Sequence, residues 1–161
     1  MALHKTFTNR QPGFTLIEML VVMGLLLILA SLGLYMSMSS YRGYSFRNER
    51  NMLISILQKA RSQATSNFCL GSLCPDGQPH GVHIDPGQYV IFQGTTYVSG
   101  NSLNEIIKPN LGNILINAPT DIVFAQLSGS VTTPGTITIS DQAGHSSMIS
   151  VNGEGQIIWT N

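Results

Sequence analysis

From Met19 to Met38 the chain reads MLVVMGLLLILASLGLYMSM, without a charge and without a proline. A helix over such a block is about 30 Å long at about 1.5 Å per residue, the hydrocarbon thickness of a bilayer. Leu, Ile, Val and Met fall on all its faces, so no stripe suits it to a soluble surface helix. Gly24, Gly33 and the serines near its end lower helix propensity in water, but lipid offers an opened backbone no water to bond and so tolerates them. The block is predicted to span a membrane, leaving room in 161 residues for one small domain. Charged residues make up only 10% of the chain, hydrophobic residues 43%, and the formal net charge is zero. This balance excludes disorder driven by charge and a globally basic nucleic-acid binder. Two cysteines are too few for a disulfide-dense scaffold.

The preceding segment, 1–13, carries Lys5 and Arg10 and no acid. By the positive-inside rule it keeps the N-terminus cytoplasmic and sends the C-terminal portion across the membrane. Three readings fit this region. One is a secretory signal with a poor cleavage site at Ala30-Ser31, and another is an uncleaved anchor. The third rests on the residues that open the apolar run, Gly13-Phe14-Thr15-Leu16-Ile17-Glu18. This hexapeptide, behind a short basic leader and ahead of a long apolar block, resembles the processing site of type IV prepilins and pseudopilins. The resemblance implies that a membrane-embedded prepilin peptidase cuts after Gly13 and N-methylates Phe14, with Glu18 at the family's acidic position. Neither a signal peptide nor a plain anchor accounts for a glutamate at the mouth of the block.

A charge inside a bilayer costs about 2.5–3.5 kcal/mol on insertion scales. Cleavage after Gly13 creates an α-amine on Phe14 with an ordinary pKa of about 7.7–8.0. Methylation leaves that amine able to hold a proton. Glu18, four residues on, lies one helical turn away and can neutralise its own amine or that of a neighbouring subunit. In a low dielectric the second pairing would set the axial stagger between helices. The plainer alternative is an acid favoured by the helix macrodipole and reaching back to water.

Beyond Met38 the pattern stays helical. Leu53, Ile56, Leu57, Ala60 and Ala64 follow the spacing of one apolar face, with Arg47, Arg50, Asn51, Gln58, Arg61, Ser62 and Thr65 opposite and Ile54 out of pattern. One helix from Phe14 to about Asn67 is predicted. From there Gly, Pro, Ser, Thr and Asn become frequent. Candidate strands are 81–84, 88–93, 113–117, 121–125, 136–140, 148–151 and 156–159, the last three as consecutive hairpins. Turns separate them at Asp85-Pro86-Gly87, Pro134-Gly135, Ala143-Gly144 and Asn152-Gly153. Residues 95–111 suggest a loop. The fold class is α+β: a leader (1–13), a transmembrane and assembly helix (14–38), an amphipathic helical half (39–67) and a small antiparallel β head (68–161). A long helix packed on a small head is also what the pilin resemblance implies.

Within that superfamily, Ala60-Arg61-Ser62-Gln63-Ala64 resembles the helical segment of the FimT/GspH minor pilins and pseudopilins. The closing stretch GTITISDQAGHSSMISVNGEGQIIW is similar to that family's C-terminal hairpins, and Gly81-Val82-His83 adds to the likeness. The resemblance implies a minor pseudopilin of a type II secretion system, single-pass in the inner membrane with its head in the periplasm. Its partners would be other pilin subunits through the N-terminal helix, prepilin peptidase, the inner-membrane assembly platform and the lipid bilayer. Two alternatives stand: a minor pilin of a type IV pilus, serving assembly, adhesion or DNA uptake, and a stand-alone anchored extracytoplasmic binding domain.

Cys69 and Cys74 flank a short loop, and in an oxidising compartment they are predicted to form a disulfide. His80 and His83 follow, so zinc on Cys69, Cys74, His80 and His83 is a competing reading of unusual spacing, and free thiols are a third. No catalytic constellation stands out. His145-Ser146-Ser147 falls in a predicted turn, and the aspartates lie at turns, where they bond local backbone. An enzyme is not expected, nor is a cofactor. From Ser62 onward Lys108 is the one base against Asp76, Asp85, Glu105, Asp121, Asp141 and Glu154, a net charge of −5. Such a head repels phosphate, and Gly153-Glu154-Gly155-Gln156 lacks the bases of DNA-binding FimT relatives, so no nucleic-acid partner is expected. The stem bases Arg42, Arg47, Arg50, Lys59 and Arg61 are expected to face neighbouring subunits or lipid headgroups.

Overall fold

Fifty residues, Leu16–Thr65, form one uninterrupted helix, α1. The computed structural model describes residues 13–71, 76–85, 87–109 and 114–160, without the side chains of 34–40. After α1 come β1 (His80–Asp85), β2 (Gln88–Gln93), β3 (Glu105–Ile107), β4 (Ile114–Asn117), β5 (Asp121–Phe124), β6 (Gly135–Asp141), β7 (Ser146–Val151) and β8 (Ile157–Thr160). The fold is α+β and pilin-like. Two compact units divide the chain, Met1–Tyr41 and Arg42–Asn161, with the boundary inside α1.

In the first unit, Leu16–Gly33 has a mean hydropathy of 2.5 and none of it is buried. Apolar side chains turned outward all round a helix are stable only in lipid or against other apolar surfaces. The helix starts two residues later than its sequence pattern predicts, because Thr15 stays outside it as a cap. Thr15 Oγ1 accepts the Glu18 N–H (3.3 Å) and Thr15 C=O accepts the Met19 N–H (3.2 Å). The pattern Thr-x-x-Glu at a helix start is that of a capping box.

The second unit is built on the C-terminal part of α1. Leu53, Ile56, Leu57, Ala60 and Ala64 are buried as their periodicity predicts, and Phe46 joins them. Ile54, out of pattern in the sequence, is buried too, because β strands cover more of the helix than one narrow stripe. The helix ends in a Schellman turn: Phe68 N–H donates to Gln63 C=O (2.9 Å) and Asn67 N–H to Ala64 C=O (3.3 Å). Asn67 occupies the left-handed conformation (φ 56°) that this ending requires.

Two antiparallel sheets complete the unit, in the orders β3-β2-β1-β5 and β4-β6-β7-β8. In the first, Val82 lies opposite both Ile91 and Ile122, and His80 opposite Phe124, so these alternate residues share one face. In the second, Ile137 pairs with Ile149 and Ile116 with Ile139. Val82, Tyr89, Ile91, Ile122 and Phe124 meet Ile137, Ile139, Ile149 and Val151 in one core around the α1 stripe. The three closing strands form consecutive hairpins, as their turn residues predict.

The stretch 95–111 departs from its reading as a loop. It contains β3, which pairs with β2 through Tyr89–Ile107, Val90–Ile106 and Ile91–Glu105. Three residues without alternation carry no legible strand signal, and their place is set by the neighbour they bond. The segment before β3 covers the first sheet's other face. Tyr97 stacks on His83 (centroids 3.8 Å, 12°) and meets Phe92 edge-on (5.7 Å). Phe92 and Val90 are buried on this face although they point away from the core. Gly81 is what admits Phe92, since a Cβ there would collide with the Phe92 ring.

Candidate functional site

The residues of the processing motif lie at the start of α1. Gly13, Phe14 and Thr15 precede the helix, so the Gly13–Phe14 bond sits in non-helical chain. Among the described residues, chain neighbours apart, no heavy atom stands within 4 Å of the position a Gly13 Cβ would take, and Phe14 is exposed. Glu18, held by the Thr15 cap, is exposed in the first helical turn. The partial positive charge of a helix N-terminus favours a carboxylate at that place. Sequence reasoning missed Thr15, although the Thr15-x-x-Glu18 spacing was a usable signal.

At the other end of α1, Arg61 faces its own head, which corrects the expectation that this stem base faces a neighbour. Its guanidinium donates to the Glu154 C=O (3.2 Å) and its chain lies against Gly129 and Gly155. Both glycines have positive φ, and a Cβ on Gly155 would collide with the Gly129 carbonyl. The Ala60–Ala64 segment and the Gly153–Gln156 turn, far apart in sequence, are thus one structural clasp. Lys59 likewise turns to the head and pairs with Glu105 on β3 (2.6 Å). Half-exposed pairs of this kind are worth about 0–1 kcal/mol, so this one orients β3 more than it stabilises it.

Cys69 is in a disulfide. Cys74, the other cysteine of the chain, lies outside the described residues, as does Pro86 of the first hairpin turn. Gln93 holds the Cys69 segment from β2: its Oε1 accepts the Leu70 N–H (2.6 Å) and its Nε2 donates to the Leu70 C=O (3.4 Å). His80 and His83 are three apart on β1 and therefore point to opposite faces. His80 is buried, with Nδ1 on the Gln78 C=O (3.0 Å) and Nε2 unpartnered. Burial lowers its pKa, against the smaller opposing effect of the Gln78 carbonyl. His83 instead pairs with Asp121 (2.6 Å) under Tyr97. These placements do not gather Cys69, His80 and His83 as a ligand set, and among the described residues no three His, Cys, Asp or Glu groups gather to hold a metal.

Two imidazole–carboxylate pairs remain, His83–Asp121 and His145–Asp141 (2.7 Å). Asp141 also accepts the N–H groups of Ala143 (2.9 Å) and His145 (2.8 Å), the local bonding expected of a turn aspartate. Desolvation acts to raise the Asp141 pKa, but the bonds from the His145 ring and from the two N–H groups outweigh it and hold the carboxyl below its usual range. Among the described residues neither imidazole presents its other nitrogen to a hydroxyl or thiol. The pairs brace turns and sheet faces.

Sequence reasoning passed over a further acid. Glu49 is buried, and the Tyr89 hydroxyl donates to its Oε1 (2.7 Å). Burial raises the Glu49 pKa and the Tyr89 bond partly offsets this, while burial and the adjacent carboxylate push the Tyr89 phenol up. The clue was positional: Glu49 stands three residues after Phe46 and four before Leu53, on the apolar stripe itself.

Chemically, the molecule offers an exposed peptide bond at Gly13–Phe14, an exposed apolar helix behind it, and a head in which Lys59, Arg61, Glu49 and the two imidazole–carboxylate pairs are engaged in holding it together. Compared with curated proteins and with solved structures, the chain has no match to either. Two family models do match: the prokaryotic N-terminal methylation motif over residues 8–34, and type II transport protein GspH over residues 49–155. The first covers the motif and most of the exposed apolar helix, and the second covers the Arg61 clasp and nearly all of both sheets. The chain therefore belongs to the GspH family of type II transport proteins and carries the N-terminal methylation motif of pilin-like, membrane-anchored, single-pass subunits.

Proposed function

We propose that the chain is a minor pseudopilin of a type II secretion system. Prepilin peptidase cuts between Gly13 and Phe14 and methylates the new amine. Before cleavage Lys5 and Arg10 hold the N-terminus on the cytoplasmic side, so that the head lies in the periplasm. The helix then leaves the bilayer for a short fibre on the assembly platform, packed against the helices of other subunits. The role is structural and not catalytic. One observation carries the reading: an apolar helix, unburied over Leu16–Gly33, begins within the Gly-Phe-Thr-Leu-Ile-Glu motif, capped by its threonine. The helix N-terminus alone favours an acid there, but a carboxylate entering the membrane is costly, and an assembling helix offsets that cost by pairing Glu18 with an amine.

Intact-mass measurement on the chain recovered from membranes tests the processing. The expected species starts at Phe14 with one added methyl, and a chain still carrying residues 1–13 counts against the proposal. Deletion of the gene is expected to halt secretion of exported proteins and leave surface pili intact. Loss of pili with normal secretion would assign the chain to a type IV pilus instead.

A further inference from the structure

The second sheet ends in two strands without charge or proline, β4 (Ile114-Leu115-Ile116-Asn117) and β8 (Ile157-Ile158-Trp159-Thr160). The edges of the first sheet are guarded: β3 holds Glu105, paired with Lys59, and β5 holds Asp121, paired with His83. An unguarded edge is a template for another strand. β8 also carries the chain's one tryptophan, Trp159, which is 48% exposed, and on its other face Ile158, 54% exposed. Beside β4 lies a cleft of about 380 Å³, lined by 114–118 and by Ile84, Asp85 and Gly87. Five successive residues line it, so both faces of the strand contribute, and β6 occupies one edge of β4. The cleft therefore runs along the free edge. Ile84, Ile114 and Ile116 make it apolar, and Asp85 adds one carboxylate to the lining.

We infer that β8 of one copy of this chain adds to β4 of a second copy, with Trp159 entering the cleft beside β4. The four strands of the sheet alternate in direction, so β4 and β8 run opposite ways. Two copies in the same orientation therefore bring these edges together as an antiparallel pair, and anchoring in one membrane imposes that shared orientation. Register follows from the pleat. Ile114 and Ile116 lie on the core face, as do Ile157 and Trp159 opposite Val151 and Ile149, while Leu115 and Ile158 point outward. Keeping like faces together and apolar residues opposed puts Ile114 against Trp159, Leu115 against Ile158 and Ile116 against Ile157. In that register the indole meets Ile114 at the cleft, and Asp85 offers an acceptor for its N–H. Neither strand carries an acid, so two heads of charge −5 meet where neither repels the other. A four-residue edge is only about 13 Å long, and with one indole it falls short of the roughly 800 Å² per partner of a stable complex. The contact therefore depends on two helices held in one bilayer, which raise the local concentration, and here the inference rests on the membrane-anchored pseudopilin reading. Joining head to tail leaves one β4 and one β8 edge open in each pair.

The test puts two differently tagged copies of the full chain in one membrane, one carrying Leu115→Cys and the other Ile158→Cys. Within a single copy these positions stand three strand spacings apart, about 14 Å, too far for a disulfide, so a cross-link between them joins two chains. Mild oxidation is expected to join the two tags, and neither variant on its own is expected to cross-link. Trp159→Ala in the Ile158→Cys copy is expected to cut the yield about tenfold, and Trp159→Phe to keep most of it, with the unfolding temperature of each variant as the control for folding. Wild type supplies an independent readout, because Trp159 is its one fluorophore of that kind. Its emission is expected to move to shorter wavelength when nanodiscs hold two copies instead of one. No cross-link between the tags, an undiminished yield with Trp159→Ala, or an unchanged emission would each overturn the inference. So would cross-linking by Ile158→Cys alone, which marks a two-fold β8 contact, or its cross-linking to a different protein instead. A chain that begins at Phe14 and gives no cross-link defeats this inference alone, whereas one that cross-links while still carrying residues 1–13 defeats the proposed processing alone.

Discussion

Glu49 and Tyr89 show how one residue on an apolar stripe sets a head's response to pH. A carboxyl whose native pKa is raised costs no stability below the ordinary glutamate range, where folded and unfolded chains both hold the proton. As pH climbs through that range the unfolded chain ionises first, and stability is lost until the raised native value is passed. Glu49→Gln keeps an acceptor for the Tyr89 hydroxyl and removes the charge. It is therefore expected to flatten this decline and to raise the unfolding temperature at neutral pH. Tyr89→Phe leaves the buried carboxylate without its donor and is expected to cost about 1–3 kcal/mol. Thermal unfolding of the full chain in micelles over a pH series checks both, and a decline that persists unchanged in Glu49→Gln would discard the assignment. Nothing about Glu49 in isolation marks it as buried, since its partner is forty residues away. Arg61 was half legible: the segment around it is recognisable, but the glycine pair it clasps becomes visible only once two turns meet.

Among the elements, those with strong periodicity were the most readable. The α1 stripe and the closing hairpins came close to their sequence patterns because a helix face repeats near 3.6 residues and a strand face every two. The first sheet obeys a different constraint, being covered on both faces. Val90 and Phe92 are buried although they alternate with the core-facing Tyr89 and Ile91, and Tyr97 meets Phe92 on that second face. The segment after Tyr97 holds itself, with Asn104 Nδ2 donating to the Val98 C=O (2.8 Å) and Leu103 N–H to Asn101 Oδ1 (3.0 Å). Gly94 N–H before it donates to the Pro79 C=O (2.8 Å), and the Tyr97 ring fastens the stretch between them to the sheet. Tyr97→Ala is expected to lower stability by about 1–3 kcal/mol and to speed amide exchange over 94–104, with the β6–β7 hairpin unchanged. Exchange rising equally in both sheets would mean that the cover is an integral part of the core.

At the scale of the whole molecule, a folded head shares one continuous helix with an apolar segment, Leu16–Gly33, none of which is buried among the described residues. Stability of the head and assembly of the helix are therefore separable properties. Glu18→Ala is expected to leave membrane insertion, cleavage after Gly13 and the head's unfolding temperature as in wild type, while blocking incorporation into a fibre. Cross-linking of membrane and sheared-fibre fractions reads this directly, and normal incorporation would remove the carboxylate–amine pairing from the proposed function. By itself the order of residues determined the membrane-spanning block, the motif at its mouth, the amphipathic stripe and most of the strands. All of these follow from the spacing of apolar residues or from chemistry within one turn of chain. Only tertiary structure decided that β3 exists, that Lys59 and Arg61 serve their own head, that Glu49 is buried and that a cleft runs along the free edge of β4. Each of those depends on residues brought together from distant parts of the chain, and such meetings exist only after strand pairing and burial have selected one arrangement.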